Sequence, residues 1–128
     1  MTYLDTSVAL AALFAEDRRP ADSLWNDTIV SCRLLEYELW TRVNARGLAK
    51  THDERVRALV GRIAFVELVR PVLARVLEPF TKPIRTLDAL HLASMEFLRS
   101  QGQFVKLASY DERLIEAARE MKFAIAKL

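Results

Sequence analysis

Apolar positions along the chain shift repeatedly between short continuous runs and the three-and-four spacing of helices. Tyr3-Leu4 ends on Asp5, and Val8-Ala9-Leu10-Ala11-Ala12-Leu13-Phe14 then reads as helix. Asp17-Arg18-Arg19-Pro20 breaks that helix, Ala21 to Trp25 form a short second one, and Thr28-Ile29-Val30 predicts the second strand. From Ser31 or Cys32 to Arg46 the pattern is helical, and Gly47 suits a left-handed cap at its end. Thr51-His52-Asp53-Glu54 has capping-box spacing and opens a helix with Val56, Leu59, Val60 and Ile63 on one side. Ala64 to Leu68 predicts the third strand, Pro71 a helix start, and Pro79 and Pro83 the end of that helix and a loop. Thr86 opens the next helix, which runs to about Ser100 and stops at Gly102. Phe104 to Ala108 reads as strand, Ser109-Tyr110-Asp111-Glu112 repeats the capping-box spacing before a helix to about Met121, and Phe123 to Ala126 is a last strand.

Strands alternating with helices predict an α/β fold, a parallel sheet covered on both faces. The 128 residues are expected to form one domain, residues 1–128, with no internal repeat, low-complexity tract or long linker. A hydrophobic share of 52% beside 28% charged residues excludes a disordered chain. No apolar run approaches the roughly 20 residues of a membrane-spanning helix. The first strand starts at the first residue and leaves no room for a signal peptide, and the lone Cys32 suits a reducing compartment, so the cytoplasm is the expected location.

Net charge is only +2, but it is unevenly spread. Between Arg42 and Arg85 stand ten Lys/Arg against four Asp/Glu, whereas the remainder carries nine against thirteen. A basic middle beside acidic flanks predicts a surface that attracts polyanions next to an acidic pocket.

Candidate chemistry rests on carboxylates. Asp5 ends the first strand, where open α/β sheets bind ligands, and Asp111 follows the strand that ends at Ala108. If those strands flank the switch point, both acids face one crevice; alone, Asp111 also fits a helix start. Asp88 stands in the first turn of its helix beside His91 and Leu92, roughly opposite a face made by Leu90, Ala93 and Phe97. His91 reads as a hydrogen-bonding partner more readily than as a metal ligand. A fourth acid comes from Glu36 or Glu38, and periodicity leaves that choice open; Arg42 is the i+4 partner of Glu38. Clustered carboxylates without cysteine or zinc-type histidine spacing favour a hard divalent cation, magnesium or manganese, and such a site suits phosphoryl chemistry.

Tyr3-Leu4-Asp5-Thr6-Ser7, Arg33 to Leu39, Leu87 to Ala93 and Ser109 to Leu114 together resemble the PIN-domain nucleases, most closely the VapC-type toxins of bacterial and archaeal type II toxin–antitoxin modules. The likeness spans nearly the whole chain in the same order. It implies a three-layer α/β/α fold with a five-stranded parallel sheet and an endoribonuclease dependent on Mg2+ or Mn2+. The family's acids fall on Asp5, Glu38, Asp88 and Asp111, with Glu36 a second choice. Ser109 would orient a carboxylate or water, and Thr6 could act similarly. The resemblance also implies a homodimer, inhibited by a VapB-type antitoxin that inserts a segment, often with an arginine, into the acidic pocket. Arg42, Arg46, Lys50 and Arg85 are the expected contacts to RNA phosphates. Trp25, Trp40 and Tyr37 suit a core or a partner interface better than base stacking. Two rivals stand beside this reading, a metal-dependent phosphatase acting on small phosphate esters and a non-catalytic interaction protein that kept the fold. The chain lacks an Asp-x-Asp opening and a Gly-rich phosphate loop, and it keeps all four acids.

Overall fold

The computed structural model describes residues 1–128. In chain order the elements are β1 (Thr2–Leu4), α1 (Thr6–Leu13), a 3-10 turn (Asp22–Asn26), β2 (Ile29–Cys32), α2 (Leu34–Ala45), α3 (Ala49–Val60) and β3 (Ala64–Val66). There follow α4 (Arg70–Val76), α5 (Thr86–Ser100), β4 (Lys106–Ala108), α6 (Glu112–Glu120) and β5 (Ala124–Ile125). All strand pairs are parallel and the sheet order is β3-β2-β1-β4-β5. The chain leaves β1 toward one edge and returns beside it as β4, so the switch point lies between those two strands. Tyr3 registers with Val30 on one side and Leu107 on the other.

Alternation along the strands splits the core in two. Leu4, Ile29 and Ala108 face one way, onto Val8, Leu35, Leu39, Val43, Val56 and Leu59 of α1, α2 and α3. Tyr3, Val30, Cys32 and Leu107 face the other, onto Leu92 and Met95 of α5 and Leu114, Ile115 and Ala118 of α6. Trp25 and Trp40 pack against the first cluster, whereas Tyr37 is 65% exposed. No helix is long and apolar enough to cross a membrane.

Element types follow the sequence expectation, and several boundaries move. β2 continues through Cys32, so α2 begins only at Leu34. The capping box at Thr51 does not form, because α3 starts two residues earlier and Thr51 sits inside it, its hydroxyl donating to the Leu48 carbonyl at 3.2 Å. The second capping box is also displaced: the N-cap of α6 is Asp111 rather than Ser109. On α5 the buried residues include His91, Leu92 and Met95, while Leu90 and Phe97 are half-buried, so Asp88 and His91 lie along the inward face. Gly47 and Gly102 adopt φ of 67° and 84° and end α2 and α5 as expected; Ala15 and Lys122 do the same after α1 and α6 without a glycine's freedom.

Several arginines lie over aromatic rings. Arg46 covers Phe14 at 4.1 Å, Arg99 covers Phe123 at 3.9 Å and Arg62 covers Trp25 at 4.9 Å.

Leu107, fully buried on a central strand, offers a direct test of the second core. Leu107→Ala is expected to cost about 2–5 kcal/mol, read as a lower urea midpoint with an unchanged slope.

Candidate active site

Four acids from four elements line one cleft at the carboxyl ends of the strands: Asp5 after β1, Glu38 on α2, Asp88 on α5 and Asp111 before α6. The cleft holds about 480 Å³ of space open to water, room for a hydrated ion beside a phosphate group. Glu36 is not among its walls; it pairs with Arg33 at 3.0 Å, and Arg33 also binds Glu67 at 2.6 Å. Arg42 and Arg85 stand on the rim, whereas Arg46 and Lys50 do not line the cleft. The i+4 pairing of Arg42 with Glu38 is absent; Glu38 takes its partners from α1 and α5 instead.

Asp5 occupies the N-cap position of α1, yet its side chain makes no capping hydrogen bond. Its Oδ2 instead accepts from the Ser7 hydroxyl at 2.6 Å and the Ser109 hydroxyl at 2.8 Å. Each hydroxyl is fixed by a backbone donor, the Tyr110 N–H at 3.0 Å to Ser7 and the Asp111 N–H at 2.9 Å to Ser109. Oδ1 receives no hydrogen bond from the chain, and His91 Nε2 is 3.9 Å away. Glu38 follows the same plan: Oε1 accepts from the Thr6 hydroxyl at 2.7 Å and faces His91 Nε2 at 3.0 Å, leaving Oε2 free. In Asp111, Oδ1 accepts from the N–H groups of Arg113 and Leu114 at 3.0 and 3.4 Å, and Oδ2 is free.

So Thr6 and Ser109, singled out in the sequence, each donate to a site carboxylate. Sequence reasoning misses Ser7, and also Tyr3, which meets His91 behind the cleft. A signal for Ser7 exists: it stands two places after Asp5, as Ser109 stands two before Asp111.

Electrostatically the cleft is under-compensated. Burial raises the pKa of Asp88, and the charges of Asp111 and Asp5 raise it further; His91 and Arg85 only partly oppose this. Burial likewise pushes the Tyr3 phenol well above its usual range, so it keeps its proton.

The free oxygens suit a hard cation. No three acid, histidine or cysteine side chains gather closely enough to wrap a bare ion. The arrangement therefore fits a hard divalent cation that keeps several waters and touches one or two carboxylates.

Without added metal, Asp88 makes folding less favourable once ionised. Because its folded pKa is raised, stability should fall as pH climbs from the ordinary carboxylate range through the raised value. Asp88→Asn should remove that slope and raise the melting temperature at pH 7.5 in chelator by about 1–2 °C, measured by scanning calorimetry. A melting temperature below that of the parent chain would contradict the account.

The PIN-domain family profile matches residues 2–120. Ribonuclease VapC47 of Mycobacterium tuberculosis is 30% identical over 135 residues, covering 98% of this chain and 96% of that protein. Ribonuclease VapC35 of the same species is 27% identical over 128 residues, covering 98% of this chain and 95% of its own length. With the five-stranded parallel sheet and the likeness running nearly end to end, the chain belongs to the PIN-domain family, among proteins of the VapC type.

Proposed function

We propose that this chain is an endoribonuclease toxin of a type II toxin–antitoxin module, hydrolysing RNA phosphodiesters at the carboxylate cleft. The observation that carries the reading is the convergence of Asp5, Glu38, Asp88 and Asp111 on one cleft, three of them with one oxygen held by the chain and one free. The names of the VapC relatives support the substrate class.

Of Asp5, Glu38, Asp88 and Asp111, one or two would touch Mg2+ or Mn2+ directly and the others would hold it through its waters. An ion held there would offset negative charge on the phosphate oxygens and lower the pKa of a bound water. The chain supplies placement: Ser7, Ser109 and Thr6 lock the carboxylates in single orientations before substrate arrives, so little reorganisation remains for the reaction. Arg42 and Arg85 on the rim draw the RNA backbone toward the acids, which by themselves would repel it. A VapB-type antitoxin would silence the enzyme by filling the cleft with a cationic side chain, and the active form is a cytoplasmic homodimer.

The principal test is Asp5→Asn. The purified, folded variant should lose RNA cleavage at least a hundredfold, while a folded variant with full activity would overturn the reading. A chain that cleaved only small chromogenic phosphate esters would point to a phosphatase.

For the rim, Arg42→Ala with Arg85→Ala should weaken RNA binding and flatten its dependence on salt by about one unit of slope for each phosphate no longer neutralised. Filter binding over a salt series on the inactive Asp5→Asn background measures both.

A further inference from the structure

Behind the cleft lies a hydrogen-bonded chain of side chains that reading the acids alone leaves without a role. Tyr3 and His91 are 0% and 1% exposed, and they meet edge-on with ring centroids 5.7 Å apart. The Cys32 backbone N–H donates to the Tyr3 oxygen at 3.1 Å, the Tyr3 oxygen lies 2.8 Å from His91 Nδ1, and His91 Nε2 lies 3.0 Å from Glu38 Oε1.

The donor assignment at the far end is forced. An ionised carboxylate only accepts, so Nε2 carries the hydrogen whatever the ring's charge. At the near end, a neutral ring takes the Tyr3 O–H on Nδ1, with Cys32 Sγ 3.5 Å from the same nitrogen, and a cationic ring has the Tyr3 oxygen as its nearer acceptor. In both cases Tyr3 fixes the plane of the imidazole and Nε2–H points at Glu38.

We infer that Tyr3 and His91 are positioning residues that orient the Glu38 carboxylate from behind and set its spacing to Asp5. Glutamate is a long side chain that loses much rotamer freedom when held. Thr6 reaches Oε1 from α1 and His91 reaches the same atom from α5, so the two helical layers clamp one oxygen and aim the other into the cleft. Nε2 also faces Asp5 Oδ1 at 3.9 Å, so a single N–H stands between the two acids. A histidine that merely filled the core would need one polar partner for each nitrogen; here the sequence of partners leads from the backbone of β2 to a site carboxylate. α5 brings Asp88 and His91 inward along one face, three residues apart, so one helix provides both an acid and the donor that places another.

This inference rests on the ribonuclease reading for the role of Glu38, and a double-mutant cycle separates the two. RNA cleavage is measured for His91→Leu, Glu38→Gln and the pair, with Tyr3→Phe and His91→Gln alongside. His91→Leu should lower kcat at least tenfold with KM for RNA changed less than twofold. The pair should be no slower than Glu38→Gln alone, because His91 acts through Glu38. His91→Gln, which can present an amide N–H in place of Nε2–H, should recover most of the loss, and Tyr3→Phe should lower kcat about threefold. Two effects that multiply in full would overturn the relay, whereas Glu38→Gln with unaltered cleavage would overturn the assignment of Glu38 instead. Imidazole 15N NMR of the metal-free chain gives a readout independent of activity, and with only His52 besides His91 the signals are readily assigned. Tyr3→Phe should move the His91 Nδ1 resonance and Glu38→Gln the Nε2–H proton. Unmoved signals would overturn the relay even if a His91→Leu chain failed to fold.

Discussion

A negative charge at the end of a buried strand is the constraint to which the surroundings answer. Asp5 is 6% exposed, and an ionised carboxylate so placed is costly unless donors surround it. Two serine hydroxyls meet that demand, and each is held by an amide of the turn between β4 and α6. The turn therefore belongs to the site as much as the acids do. Its geometry depends on β4 lying directly beside β1, which the sheet order provides. Backbone topology, hydroxyl orientation and carboxylate geometry form one chain of dependence.

The distribution of donors explains why the cleft can be both rigid and receptive. On Asp5, Glu38 and Asp111 one oxygen is tied to the chain and the other is left bare. Tied oxygens stop the side chains from turning away from one another; bare ones keep the negative potential on the open side. Asp88, whose pKa is raised first by burial and then by the charges of Asp111 and Asp5, shows the cost of that arrangement most clearly. Burial and like charge, rather than a distorted backbone, make the cleft costly to ionise.

Much of this is legible in the sequence. The alternation of strand and helix, the prolines and the two glycine caps point to the layer architecture, because those signals are local. The acids Asp5, Asp88 and Asp111 stand out because each adjoins an element boundary. Choosing Glu38 over Glu36 needs tertiary information: both stand on one helix among apolar residues, and only the approach of Thr6 and His91 distinguishes them. Both capping boxes are misplaced for a related reason. The spacing Ser/Thr-x-x-Glu is satisfied by several registers, and at Ser109 the hydroxyl has a stronger use on Asp5. Tyr3 and Ser7 escape notice because their partners lie far along the chain.

The arginines stacked over aromatic rings bear on how the basic character should be interpreted. Fourteen of the 19 basic residues are arginine, and several lie over phenylalanine or tryptophan rings. A planar guanidinium shields such a ring while keeping its edge hydrated, something a lysine ammonium does poorly. Part of the basic surface is thus pinned over the molecule's own hydrocarbon, so these charges stay where the rings hold them rather than following a passing polyanion.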